Sequence, residues 1–115
     1  MTRNTNSTRY YSAKQENAVA KIVSGRVSSN SGASMFQKGD VRTDDYLIEC
    51  KTSVKEVNSV SIKKDWLTKI KQEAFSQNKS SGIVAINFGP DTNNYFIIDE
   101  QLFKKFLCME KEMES

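Results

Sequence analysis

The 115-residue chain has no histidine at all. Ser-His and Cys-His nucleophiles, histidine-assisted phosphoryl transfer and histidine-ligated zinc are therefore excluded. Cysteine is nearly as scarce. Cys50 and Cys108 lie 58 positions apart and form no CxxC pair, and two sulfurs without histidine cannot complete a four-ligand zinc site. Both read as small, reduced core residues. Long apolar runs are missing too. Ile83-Val84-Ala85-Ile86 is among the longest, far short of the roughly 20 residues of a membrane span. No apolar stretch follows Met1, so no secretory signal is expected and the cytoplasm, of a bacterium or of a phage-infected host, is the expected compartment. Chemistry in this chain must run on carboxylates, lysines, hydroxyls and a bound metal.

What remains is ordinary for one small folded domain: 37% hydrophobic and 27% charged residues. Charge is spread unevenly. Residues 1–39 carry Arg3, Arg9, Lys14, Lys21, Arg26 and Lys38 against the single acid Glu16. Residues 55–79 carry six lysines against Glu56, Asp65 and Glu73, whereas the tail from Asp99 is net acidic. Two basic regions suit a polyanionic partner, and they equally suit two solvated surfaces.

Residues 1–11 are polar and aperiodic and read as a flexible basic arm ahead of a single domain, 12–115. Ser12 and Gln15 resemble a capping box, which predicts a helix from about Ala13 to Ser24 with Gly25 as its stop. Its apolar stripe holds Val19, Ala20, Ile22 and Val23, and Glu16 falls on that buried side. A small-residue loop, 28–34, follows. Met35–Thr43 and Tyr46–Ser53 read as strands joined by a turn at Thr43-Asp44-Asp45, with a short strand near Val60-Ser61-Ile62. Asp65 is placed to cap a helix carrying Trp66, Leu67, Ile70, Ala74 and Phe75 at core spacing. Gly82–Phe88 reads as a strand covered on both faces. Tyr95–Ile98 is the last strand, and a closing helix from Asp99 places Leu102, Phe103, Phe106, Leu107 and Met113 on one face. The predicted class is α/β in the broad sense, an α+β arrangement of a mixed sheet with helices around it.

The chemistry concentrates in Gly39-Asp40, then eight residues, then Glu49-Cys50-Lys51. Paired strands would bring Asp40 and Glu49 together, and adjacent carboxylates repel unless protonated or bridged by a cation. Oxygen ligands suit Mg²⁺ or Mn²⁺, and the backbone carbonyl of Cys50 can add another. Lys51 points to the same face as Glu49, where an ammonium can orient a water or neutralise charge on a phosphate. Acids, a metal and a neighbouring lysine are what metal-assisted phosphodiester hydrolysis uses.

These residues resemble the PD-(D/E)xK nuclease superfamily, and within it the small Holliday-junction resolvases of archaea and phages. The resemblance spans about residues 12–98 and rests on Glu16, Ser31-Gly32-Ala33, Gly39-Asp40-Val41, Ile48-Glu49-Cys50-Lys51-Thr52 and Ser61–Leu67. Gly39 stands where the motif's name has proline. The resemblance implies a restriction-endonuclease-like αβββαβ core with a C-terminal helix, and Mg²⁺-dependent cleavage leaving 5′-phosphate and 3′-hydroxyl ends. It assigns metal binding to Asp40 and Glu49, beside the Cys50 carbonyl already noted, with Glu16 completing the shell. It also gives Lys51 the water-assisting role and makes Ser31 an active-site loop serine. On this reading Arg3, Arg9, Lys14, Arg26, Lys38, Lys63, Lys64 and Lys69 would contact phosphates, while Tyr10 and Tyr11 would either stack on exposed bases or staple the arm to the first helix. Gln72 would be a solvated helix residue. A junction has two strands to cut, which implies a homodimer, and the apolar face of the closing helix is a candidate interface.

The expected function is thus a structure-selective DNA endonuclease acting on Holliday junctions or related branches. Alternatives are another small nuclease of the superfamily acting on nicked, single-stranded or duplex DNA, a non-catalytic DNA-binding protein, and a purely structural dimer.

Overall fold

The computed structural model describes residues 8–28 and 39–114. It is an α+β fold: a five-stranded mixed sheet with three helices. In chain order the elements are α1 (Thr8–Val23), β1 (Arg26–Val27), β2 (Val41–Arg42), β3 (Tyr46–Lys51), α2 (Lys64–Ser76), β4 (Ser81–Ile86), β5 (Tyr95–Ile97) and α3 (Glu100–Glu114). The strands lie side by side in that same order. Neighbours are antiparallel except β3 and β4, whose ladder is parallel. A parallel pair needs a crossover, and α2 supplies it. No described helix is long and apolar enough to cross a membrane.

The sheet is covered on both sides because its central strands are apolar on both faces. Ile48 of β3 and Ile83 and Ala85 of β4 pack with Val19 and Ala20 of α1 and with Leu102 of α3. The alternate residues Leu47, Val84 and Ile86 pack with Ile70 and Ala74 of α2. This is the period of two expected for β3 and the two-sided burial expected for β4.

Several elements differ from the sequence expectation. Helix α1 begins at Thr8, so residues 8–11 of the expected arm are helical and Gln15 lies mid-helix instead of in a capping box. The first strand is Arg26–Val27, which the sequence reading missed. Of the strand expected at Met35–Thr43, only Val41–Arg42 is a described strand, and residues 29–38 lie outside the described residues. Residues Val60–Ile62 form no strand. There the chain climbs from the sheet into the α2 layer, with Val57 N–H donating to the Phe88 carbonyl (2.9 Å) and Val60 tucked against the α2 core.

Two helix predictions also need revision. Lys63, not Asp65, occupies the N-cap of α2, and Asp65 sits in the first turn, where an acid favours the helix dipole. Phe75 is 84% exposed. It lies one residue, about 100° of rotation, beyond Ala74 and so falls off the buried stripe. On α3 only Leu102 is buried, while the other apolar residues of that face are open.

Candidate active site

Asp40 is fixed by three backbone contacts. Its carbonyl accepts from Ser28 N–H (2.9 Å), its N–H donates to the Ile48 carbonyl (2.8 Å), and its Oδ2 accepts from Cys50 N–H (2.8 Å). The last bond places the carboxylate at the end of β3, beside Glu49. Gly39 makes the approach possible. Its φ is +84°, a region that disfavours side chains, and a Cβ there would run into the Leu47 side chain.

Glu49 and Lys51 share one face of β3 and are paired, Lys51 Nζ to Glu49 Oε2 at 3.3 Å. They open onto a cavity of about 290 Å³ that α2 closes with Trp66, Lys69 and Glu73. The Lys51 ammonium also stands 5.0 Å from the centre of the Trp66 ring, a cation–π contact. Glu16 lies on the buried side of α1. It is only 8% exposed and opens onto a separate hollow beside Arg9 and Val27.

Electrostatics ties these groups together. Burial, then Asp40, then Glu49 raise the Glu16 pKa from 4.5 to about 7. Burial raises Asp40, against the opposing pull of the Cys50 N–H and Lys51. Burial and Asp40 raise Glu49, which Lys51 opposes, and Glu73 adds to the rise. The half-buried Cys50 thiol is pushed well up by burial and by the same three acids, so it stays protonated. Burial is the largest cause in all three carboxyls, and each of Glu16 and Glu49 is raised further by the charge of Asp40.

The donor set suits a hard divalent ion: carboxylate oxygens from Glu16, Asp40 and Glu49 and a backbone carbonyl at Cys50. Among the described residues no group of three or more acidic or thiol side chains is placed so that together they could hold a metal ion.

Some residues of this site went unread in the sequence. Gln15 is 3% exposed, and its Nε2 donates to the Lys51 carbonyl (3.0 Å), the Ala85 carbonyl (3.3 Å) and Asn94 Oδ1 (3.1 Å). It clamps the end of β3, where Lys51 sits, to β4 and to the segment before β5. Glu73 follows Lys69 by four residues, one turn along the same face of α2, a spacing that could have flagged it.

The basic residues are scattered around this end of the sheet. Arg9, Lys63, Lys64 and Lys69 are exposed, and Lys14 is paired with Asp91 (2.8 Å). Arg26 on β1 stands opposite Arg42 on β2, whose Nη2 donates to Gln77 Oε1 (2.7 Å) while its buried Nη1 has no hydrogen-bond partner. Tyr10 and Tyr11 lie on α1 with their rings edge to face, 5.1 Å apart. Gln72 is exposed on α2. Arg3, Ser31 and Lys38 lie outside the described residues.

No family model matches the chain, no curated protein is significantly similar to it in sequence, and no solved structure matches it significantly.

Proposed function

We propose that this protein is a divalent-metal-dependent DNA endonuclease of the PD-(D/E)xK type, acting on Holliday junctions or related branched DNA. The observation that carries the reading is Asp40, bound to the Cys50 N–H, beside Glu49 with Lys51 held 3.3 Å from it, and Glu16 on α1 close enough to feel the charge of both acids. Asp40, Glu49 and the Cys50 carbonyl would hold Mg²⁺ or Mn²⁺, with Glu16 behind them. A metal there supplies Lewis-acid charge at the phosphate and a more acidic water. Lys51 contributes a positive charge where negative charge builds on the phosphoryl oxygens. Trp66 keeps that ammonium turned toward the cavity, and Gln15 fixes the backbone that carries it.

The surroundings favour a phosphate backbone as ligand. The exposed Arg9, Lys63, Lys64 and Lys69 supply the positive charge. A two-fold pair of copies would offer one centre to each of the two strands of a junction.

The test is a panel of substitutions read for both cutting and binding. Asp40→Asn, Glu49→Gln and Lys51→Ala are each expected to abolish cleavage while the protein still binds a junction. Cleavage retained in all three would overturn the site. Binding without any cleavage by the wild-type protein would make it a DNA-binding protein without catalysis.

A further inference from the structure

The two ends of the sheet carry different chemistry. Strands β3 and β4 run parallel, from Tyr46 opposite Ser81 to Lys51 opposite Ile86. The start of β4 is therefore about 17 Å along the strands from the level of Lys51. At that far end α2 finishes, β4 begins and α3 begins, and together they border a second cavity of about 310 Å³. Its walls carry Lys71, Phe75, Lys79, Ser80, Ser81 and Lys105. The volume lies at the lower end of the range for small-ligand sites.

Charge and shape indicate what fills it. Asp99 is the one acid among the described residues that line the cavity, and Lys71 neutralises it at 3.0 Å. Lys79 is held in place by the carbonyls of Thr43 and Asp44, to which its Nζ donates. An ammonium has three N–H groups, so one is left over. Lys105 has no ion pair among the described residues. The surplus is positive and selects an anion. Phe75 adds a ring. It stands one turn after Lys71 on α2, is 84% exposed and belongs to neither packed cluster of the core. An open aromatic face among lysines is an arrangement on which a nucleobase stacks while the cations hold its phosphate. The hydroxyls of Ser80 and Ser81 and the amide of Gln101, also on the wall, can both donate to and accept from a sugar or base.

We propose that this cavity is a nucleotide-binding site, separate from the carboxylate centre: the base stacks on Phe75 and the phosphate lies among Lys71, Lys79 and Lys105. The ligand chemistry is one phosphate ester joined through a sugar to one aromatic base, supplied by a free nucleotide or by one unit of a single strand. The site uses none of the residues of the nuclease reading and stands independently of it.

A titration of the full chain followed by amide NMR shifts, without metal and with EDTA present, tests the proposal. The probes are deoxyadenosine monophosphate, inorganic phosphate and a short single-stranded oligomer of the same nucleotide. Saturable shifts are expected at the amides of Phe75, Ser80, Ser81 and Lys105, with nucleotide bound at least about fivefold more tightly than phosphate. Phe75→Ala and Lys105→Glu are each expected to weaken nucleotide binding at least about fivefold. Both positions are exposed, and circular dichroism checks that the variants stay folded. Saturation by the mononucleotide supports a free nucleotide as ligand, and saturation by the oligomer alone supports a unit of single strand. No shift at these amides with either, phosphate bound as tightly as nucleotide, or an affinity indifferent to both substitutions would overturn the proposal. Cleavage by the same wild-type sample is assayed separately, so failure of one reading is distinguishable from failure of the other.

Discussion

Glu16 links the chemistry of the site to the stability of the protein. Its pKa rises from 4.5 to about 7. Between those values the folded protein holds a proton that the unfolded chain has released. Without metal, stability is therefore expected to fall as pH rises from about 4.5 through about 7. Asp40 and Glu49, also raised, push the same way. Urea unfolding in the presence of a chelator checks this. Glu16→Gln should flatten the decline, and Mg²⁺ should reduce it in the wild-type protein by offsetting the carboxylate charge; a wild-type curve that rises with pH would contradict it. Gly39 is the other decisive residue. With φ at +84° and Leu47 against the position of a Cβ, Gly39→Ala is expected to cost about 1–3 kcal/mol and to displace Asp40. Unfolding midpoints and cleavage rates should fall together. The acids were legible in the sequence because they stand in apolar surroundings. Gln15 was not, because its partners are backbone carbonyls 36 and 70 positions away, which no local pattern encodes.

At the scale of elements, α2 shows how tertiary position decides what a residue contributes. Ile70 is 1% exposed and Phe75 84% exposed on the same helix. Ile70→Ala is expected to cost about 2–5 kcal/mol through the cavity it leaves. Phe75→Lys should change stability by no more than about 0.5 kcal/mol, and a large loss would mean that Phe75 is covered in solution. Denaturant titration of both variants makes the comparison. Strands β3 and β4 were readable because six residues of alternating or continuous apolar pattern carry a clear signal. Strand β1 has two residues, both exposed, and no pattern can form over that length. The stretch Val60–Ile62 has strand-like composition, but the crossover to α2 takes it off the sheet. Asp99 shows the reverse case. Expected only as the start of the closing helix, it accepts the Leu102 N–H at 2.9 Å and pairs with Lys71 at 3.0 Å, joining α3 to α2.

For the whole molecule, the α+β class and the order of helices and strands were legible from periodicity, although the identity of the first strands was not. The proposed junction substrate rests on the family resemblance, and the basic side chains around the carboxylates favour a polyanion. Phosphate contacts by several basic side chains would release counterions, so binding to a junction should weaken steeply and log-linearly with salt. A titration showing little salt dependence would argue against a phosphate-backbone ligand. The central claim is tested most directly by incubating the protein with a labelled four-way junction and a matched linear duplex, each with Mg²⁺ and with EDTA. The account predicts paired, symmetric nicks in the junction alone, abolished by EDTA. Cutting that persists in EDTA, or no cutting of either DNA by folded protein in Mg²⁺, would contradict it.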